Sequence, residues 1–279
     1  MTPAMTERIV ERDGVRLAAE EAGPADGPPI VLLHGLTATR RYVVMGSKAL
    51  ERAGHRVLSY DARGHGQSAA APAPDAYGYD ELAADLLAVL DAFGVERAVL
   101  AGASMGAHTL LRFALEDPAR VAGVVVVTPA FDPDAAPHYT RWDALAAGLR
   151  SGGIEGFVAA YRVEDEVPEA WRETVRTVLR QRMAQHADLG AVADALQATP
   201  RSRPFESLAA LGGIAVPAVV VASRDEADPG HPLAVGEAYA AAIPGARLVV
   251  EPEGRSPLAW QGGQLSRVIA ELAAHARAA

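Results

Sequence analysis

Six short stretches of this chain are almost continuously apolar, and helical patterns separate several of them. They are P-P-I-V-L-L-H-G (28–35), H-R-V-L-S-Y-D (55–61), A-V-L-A-G (98–102), A-G-V-V-V-V (122–127), V-P-A-V-V-V-A (216–222) and A-R-L-V-V (246–250). A strand with one wet face alternates apolar and polar residues. A strand covered on both faces does not, so these runs predict a mostly parallel sheet between two helical layers. The intervening segments fit. Leu82, Leu86, Val89, Leu90 and Phe93 follow helical spacing, with Gly94 as a stop, and Leu265, Val268, Ile269 and Leu272 repeat the pattern near the end. Strand–helix alternation of this kind gives right-handed βαβ units. Ahead of them, R-I-V-E-R and V-R-L-A-A-E-E read as a hairpin turning at Asp13-Gly14.

The alternation breaks once. From residue 131 to 213 the spacing is helical and no strand pattern occurs, with Trp171, Val175, Val178 and Leu179 as one apolar stripe. The fold class is therefore α/β. Residues 1–130 and 214–279 form the core, and 131–213 form an inserted helical cap. A chain of 279 residues, half of them hydrophobic, can bury a core of that size.

Charge and cysteine usage exclude several classes. The formal charge of −9 is spread along the chain, which argues against nucleic acid as a partner. Without cysteine there is neither a disulfide framework nor a thiolate metal site. No apolar run approaches the roughly 18 residues of a membrane span, and the N-terminus lacks a basic region followed by an apolar one. The expected setting is cytoplasmic, with no membrane partner. No metal-ligand cluster is visible, and no cofactor is implied.

Chemistry concentrates at Gly102-Ala103-Ser104-Met105-Gly106. The pentapeptide follows a buried strand and opens a helix, the context in which G-x-S-x-G holds a serine in a sharp, strained turn. Without that context the serine would be an ordinary helix cap.

With this elbow the chain resembles the α/β-hydrolase superfamily. His34-Gly35-Leu36 is similar to the family's oxyanion loop, and Asp61-Ala62-Arg63-Gly64-His65-Gly66-Gln67-Ser68 to its D-x-R-G-x-G-x-S turn. The resemblance implies an α/β-hydrolase fold and an oxyanion hole made by the N–H groups of Leu36 and Met105. It also implies that His34 and His65 tie loops together. A serine at the elbow, where dehalogenases and epoxide hydrolases of the superfamily use aspartate, implies acyl transfer: ester, thioester, lactone or amide cleavage.

The family order is serine, acid, histidine. The acid belongs after the first strand beyond the cap, in V-V-V-A-S-R-D-E-A-D-P-G-H-P. Two frames fit. Counting from Pro217 favours Asp225 or Glu226, while counting back from Ile243-Pro244-Gly245-Ala246 favours Asp228. Asp228-Pro229 also reproduces the family's common D-P helix start, and Asp228 is preferred. One of the two aspartates is expected only to cap the turn.

Where the family places G-H-S-P, this chain has Gly254-Arg255-Ser256-Pro257. A guanidinium cannot act as a base at accessible pH. Losing the histidine of a serine triad costs on the order of 10⁶ in kcat. Arg255 is expected to pair with Glu251 or Glu253, or to contact an anion. His55, His186 and His275 read as lying away from the strand ends, and His108 lies inside the elbow helix. His231, three residues after Asp228, is the preferred substitute base, with His138 at the cap entry as an alternative.

Arg172, Arg176 and Arg180 read as a solvated helix face. Arg40 and Arg41 raise the idea of an anionic substrate. The reading is a serine hydrolase cleaving a small carboxylic ester or related acyl compound through Ser104, with Asp228, His231, Leu36 and Met105. The alternative is a catalytically impaired binding protein of the same fold, because Arg255 stands in the histidine position.

Overall fold

The computed structural model describes residues 5–136 and 138–278, and within these one eight-stranded sheet is formed. Residues 1–4, on which the reading of the N-terminus partly rests, lie outside the described part. The strands are β1 (Thr6–Arg12), β2 (Val15–Ala22), β3 (Pro29–Leu33), β4 (Arg56–Tyr60), β5 (Ala98–Ala103), β6 (Val121–Val127), β7 (Ala218–Ala222) and β8 (Arg247–Val250). Their order across the sheet is β1-β2-β4-β3-β5-β6-β7-β8. The β1–β2 hairpin joins β4 antiparallel, and every later pairing is parallel. Asp13 and Gly14 both take positive φ at the hairpin turn.

Two apolar layers explain why the central strands lack alternation. Leu33, Leu58, Leu100, Val124, Val126 and Val220 pack on one face against α2 (Tyr79–Ala92), α3 (Met105–Glu116) and α8 (Leu233–Ala242). Ile30, Leu32, Val99, Val125, Val127 and Val221 pack on the other against α1 (Ala49–Arg52) and α9 (Gly262–Ala278). Since successive residues point to opposite faces, every position of such a strand is buried.

Between β6 and β7 the described residues form helices only: α4 (Tyr139–Ala160), α5 (Val163–Glu166), α6 (Arg172–Met183), α7 (Leu189–Ala198) and short 3₁₀ turns. They carry their own apolar cluster, including Leu145, Leu149, Phe157, Leu179, Met183, Val192 and Leu196. Trp171 is not part of it. It precedes α6, is 52% exposed, and leaves the buried stripe to Leu179 and Met183 with Val175 at its edge.

The register positions the site. Leu33 is level with Gly102, Ala103 with Val127, Val127 with Val221, and Ala222 with Val250. The loops after β3, β5, β6, β7 and β8 therefore emerge at one end of the sheet. The chain also passes to opposite sides of β3 on its way to β4 and to β5, which makes a topological switch point beside β3, where open α/β sheets bind ligands.

Candidate active site

Ser104 joins β5 to α3 with φ 50° and ψ −114°. For a residue with a Cβ this region costs on the order of 1–3 kcal/mol. The neighbours hold it there: its N–H donates to Val127 O (3.0 Å) and its carbonyl accepts from His108 N (3.0 Å). Its hydroxyl makes no helix-capping bond, so the strain does not serve an ordinary N-cap. Thr37 and Thr128, after β3 and β6, also take positive φ. Three strained non-glycine residues thus flank the same sheet end.

Around the elbow, main chain passes main chain with no room for side chains. A Cβ on Gly102 would lie 2.4 Å from Gly106 C, and one on Gly106 would lie 2.1 Å from Leu33 O. One on Gly35 would meet Ser104 Cβ at 3.3 Å. The loop after β3 is therefore pressed onto the serine. Leu36 and Met105 share a small apolar cluster with Ala62, Tyr79 and Leu82. Among the described residues the N–H groups of Leu36 and Met105 have no protein acceptor. For Met105 this follows from its place in the first turn of a helix.

After β7, Asp228 and His231 face each other across one turn. His231 Nδ1 lies 2.8 Å from both Asp228 carboxylate oxygens, and its Nε2 is unpartnered among the described residues. Burial opposes ionisation of Asp228, but the hydrogen bond and charge of His231, with Arg182 and Arg141, hold its carboxyl below the usual range. Asp225 is built differently. It accepts from Ala227 N (3.0 Å), closing a turn, and burial pushes its carboxyl up. His231 also makes itself felt at His108, one helical turn after Ser104. Burial pushes His108 down to about 3, and the charge of His231 adds to that depression.

Arg255 sits on an exposed turn, its N–H donating to Pro252 O. The expected pairing with Glu251 or Glu253 is not formed. Glu251 turns inward, accepting from Ser223 Oγ (3.0 Å), Arg224 N (2.6 Å) and Leu258 N (3.4 Å), and so ties the loop after β8 to the loop after β7. Nor are Arg40 and Arg41 free for a ligand. Arg40 reaches Glu20, Asp61 and Glu7, and Arg41 reaches Glu20. Arg176 and Arg180 pair with Glu164 and Glu155, and Arg172 donates to two backbone carbonyls, as a solvated face would. His138 is exposed at the start of α4.

The histidines that tie loops number two more than the sequence indicated. His34 donates from Nδ1 to Gly35 O (2.8 Å) and accepts at Nε2 from Ala62 N (2.9 Å). His65 Nδ1 donates to Arg63 O (2.9 Å). His186, read from sequence as remote, instead reaches this sheet end: Nδ1 accepts from Gly66 N (2.8 Å) and Nε2 donates to Thr37 O (3.0 Å). It follows α6, so it fastens the helical insertion to both loops at once. Its ring packs 5.6 Å from His65, which packs 5.2 Å from His34. His108 completes the set, accepting at Nε2 from Ala130 N and Phe131 N.

The family model for the alpha/beta hydrolase fold matches residues 28–261 of the chain. This chain belongs to that family. An α/β hydrolase from Variovorax paradoxus, RutD, named for carbamate hydrolysis, is 35% identical over 214 residues, covering 75% of this chain and 77% of its own. Epoxide hydrolase A of Mycobacterium tuberculosis is 40% identical over 128 residues, which span 45% of this chain but only 39% of that enzyme. Among solved structures, the enol-lactonase of Burkholderia xenovorans aligns with a TM-score of 0.74 and 26% identity over 96% of this chain and 98% of its own. These relatives are named as hydrolases, and the α/β-hydrolase membership of this chain supports a hydrolytic activity. No described helix is long and apolar enough to cross a membrane.

The tied histidines give the α/β hydrolase a pH dependence whose sign is fixed. In His34, His108 and His186 one ring nitrogen accepts a backbone N–H, so protonation would break that bond. Burial pushes His34 and His108 down to about 3 and lowers His186 and His65 as well. Below the unfolded value near 6.5 the unfolded chain takes up protons that the folded one refuses. The stability they contribute is present above that pH and lost as pH falls, by about 1.4 kcal/mol per pH unit for each of His34 and His108, with His65 and His186 acting in the same direction. We expect the melting temperature to drop steeply between pH 6.5 and 5, above the range where carboxylates titrate. A flat melting temperature across that window would show that these imidazoles are already charged or unfastened.

Proposed function

We propose that this protein is a serine hydrolase that cleaves a carboxylic ester or related acyl compound through an acyl-enzyme on Ser104. The observation that carries the reading is the Asp228–His231 pair. It is an imidazole pinned by a carboxylate at 2.8 Å, with its other nitrogen unpartnered among the described residues, on the loop after β7 at the sheet end where Ser104 lies. Asp228 holds the proton on Nδ1, which leaves Nε2 basic. Ser104 Oγ attacks the acyl carbon as Nε2 takes its proton, and the N–H groups of Leu36 and Met105 receive the negative charge on the former carbonyl oxygen. The imidazolium returns the proton to the departing alcohol. Water then attacks the acyl-enzyme by the same route, releasing the acid.

Ser104 at the elbow weighs against epoxide chemistry, despite the identity to the epoxide hydrolase. The rival is a ligand-binding protein of the same fold, favoured by Arg255 on the loop after β8. The test of the nucleophile is covalent labelling. A small fluorophosphonate is expected to modify Ser104, because strain and oxyanion donors both assist attack there. Peptide mass mapping of folded protein with no adduct on Ser104 would exclude the acyl-enzyme route.

A further inference from the structure

Among the described residues, Arg182 at the site end is a half-buried cation with no counter-ion. Arg182, on α6, donates from Nη2 to Leu36 O (3.0 Å) and Thr37 Oγ1 (2.8 Å). Its Nε is enclosed and unpartnered, and its Nη1 makes no hydrogen bond among the described residues. Three of the five N–H donors of the guanidinium are thus unused. Its Cζ lies 5.7 Å from the Tyr42 ring centre, and no carboxylate of the described residues reaches ion-pair distance. The neighbouring arginines are either committed, Arg40 and Arg41 to Glu20, Arg141 to Glu166, Arg176 to Glu164 and Arg180 to Glu155, or exposed to solvent, as Arg224 and Arg255 are on the loops after β7 and β8. Burial lowers the affinity of Arg182 for its proton, and the fields of Tyr161, Tyr42 and Asp228 offset this only in part.

A half-buried cation with open donors is costly unless an anion meets it. Tethering the insertion to the oxyanion loop would need only the Nη2 bonds. Position supplies the rest of the argument. Arg182 touches Leu36, the residue whose N–H is an oxyanion donor in the mechanism above. The insertion's apolar cluster contacts both Leu36 and Ala227, next to Asp228. Arg182 therefore sits where the insertion meets the loop of Leu36, and its charge is among those that act on Asp228. Resting on the hydrolase reading, we propose that Arg182 receives a carboxylate carried by the substrate. The preferred acyl compound is then an anionic one, of which a half-ester of a short dicarboxylic acid is the simplest form.

Methyl hydrogen succinate, glutarate and adipate can be compared with methyl butyrate, valerate and hexanoate as substrates of the wild-type protein. The expected result is a kcat/KM at least ~10-fold higher for one acid half-ester than for its neutral counterpart, the range of a charge-assisted hydrogen bond. Arg182→Gln should cut that ratio roughly 10- to 100-fold, and Arg182→Lys should keep part of it. Equal losses for charged and neutral esters would assign Arg182 to holding the loop and overturn the proposal, as would a wild type without preference in any pair. Should Arg182→Gln not fold, the wild-type preference decides alone. Should no ester turn over, calorimetry with methyl hydrogen glutarate and adipate on Ser104→Ala separates the two ideas. Binding that is lost in Ser104→Ala/Arg182→Gln and kept in part in Ser104→Ala/Arg182→Lys keeps the anion site while the hydrolase reading falls, and absence of binding, or binding that survives Arg182→Gln, overturns the site.

Discussion

Replacing His231 with Gln is expected to lower kcat for a simple ester by at least ~10³ while leaving the protein folded. The substitution separates two jobs of the imidazole. Glutamine can still donate an amide hydrogen to Asp228, so the turn from Asp228 to His231 keeps its internal bond. It cannot accept the proton of Ser104 and return it to the leaving group. The His231 side chain is 23% exposed, so the stability change should stay within about 1 kcal/mol. Asp228→Asn should approach the same loss by another route, because an amide facing Nδ1 favours the tautomer with its proton on Nε2, the wrong side for a base. The measurement is kcat for wild type and both variants, with a melting curve for each. A folded His231→Gln variant with near-normal turnover would falsify the assignment of the base. Turnover absent even in wild type, alongside saturable ligand binding, would favour the binding-protein alternative.

Much of the fold was legible in the sequence because both of its signals are local. Burial on both faces writes continuous apolar runs, and each of the six runs forms a strand. The end of a helix writes a glycine, and Gly94 takes positive φ just after α2. The elbow was legible because steric exclusion admits only glycine at 102 and 106. Side-chain partnerships across the fold were not legible. His186 looked remote since nothing local says that the end of α6 returns to Thr37 and Gly66, well over a hundred residues away in the chain. Arg40 and Arg41 looked available since Glu7, Glu20 and Asp61 meet them only once β1, β2 and β4 are assembled. Glu251 looked like a surface partner for Arg255, yet its carboxylate is consumed by the N–H groups of Arg224 and Leu258. Arg182 did leave a trace. It falls three residues after Leu179 and seven after Val175, on the apolar stripe of α6 rather than on the face of Arg172, Arg176 and Arg180. A charge on the apolar side of a helix stands out, and period-four counting of the arginines obscured it.

Gly106→Ala is expected to destabilise the protein by more than about 4 kcal/mol, a large share of the ~5–15 kcal/mol that holds a typical domain together. Helix propensity predicts the opposite, since alanine is favoured over glycine in a helix by about 1 kcal/mol. Steric contact decides the sign. The added methyl would sit 2.1 Å from Leu33 O, 2.5 Å from Leu33 C and 2.8 Å from His34 O. All three are backbone atoms of β3 and the loop that follows it, so no side-chain rotation relieves the clash. Only separating α3 from β3 does, and that movement opens the packing of Ala107, Leu110 and Leu111 against the strands. It also draws Met105 away from Leu36, so both proposed oxyanion donors would move. Gly263→Ala is the control. That glycine lies in the first turn of α9 with nothing within 4 Å of the added carbon, and the change should be neutral or stabilising by up to about 1 kcal/mol. Denaturant titrations of the two variants against wild type make the comparison. Gly106→Ala with a midpoint near that of wild type would mean that β3 and α3 do not meet at backbone contact, and the pressed oxyanion loop would have to be abandoned with it.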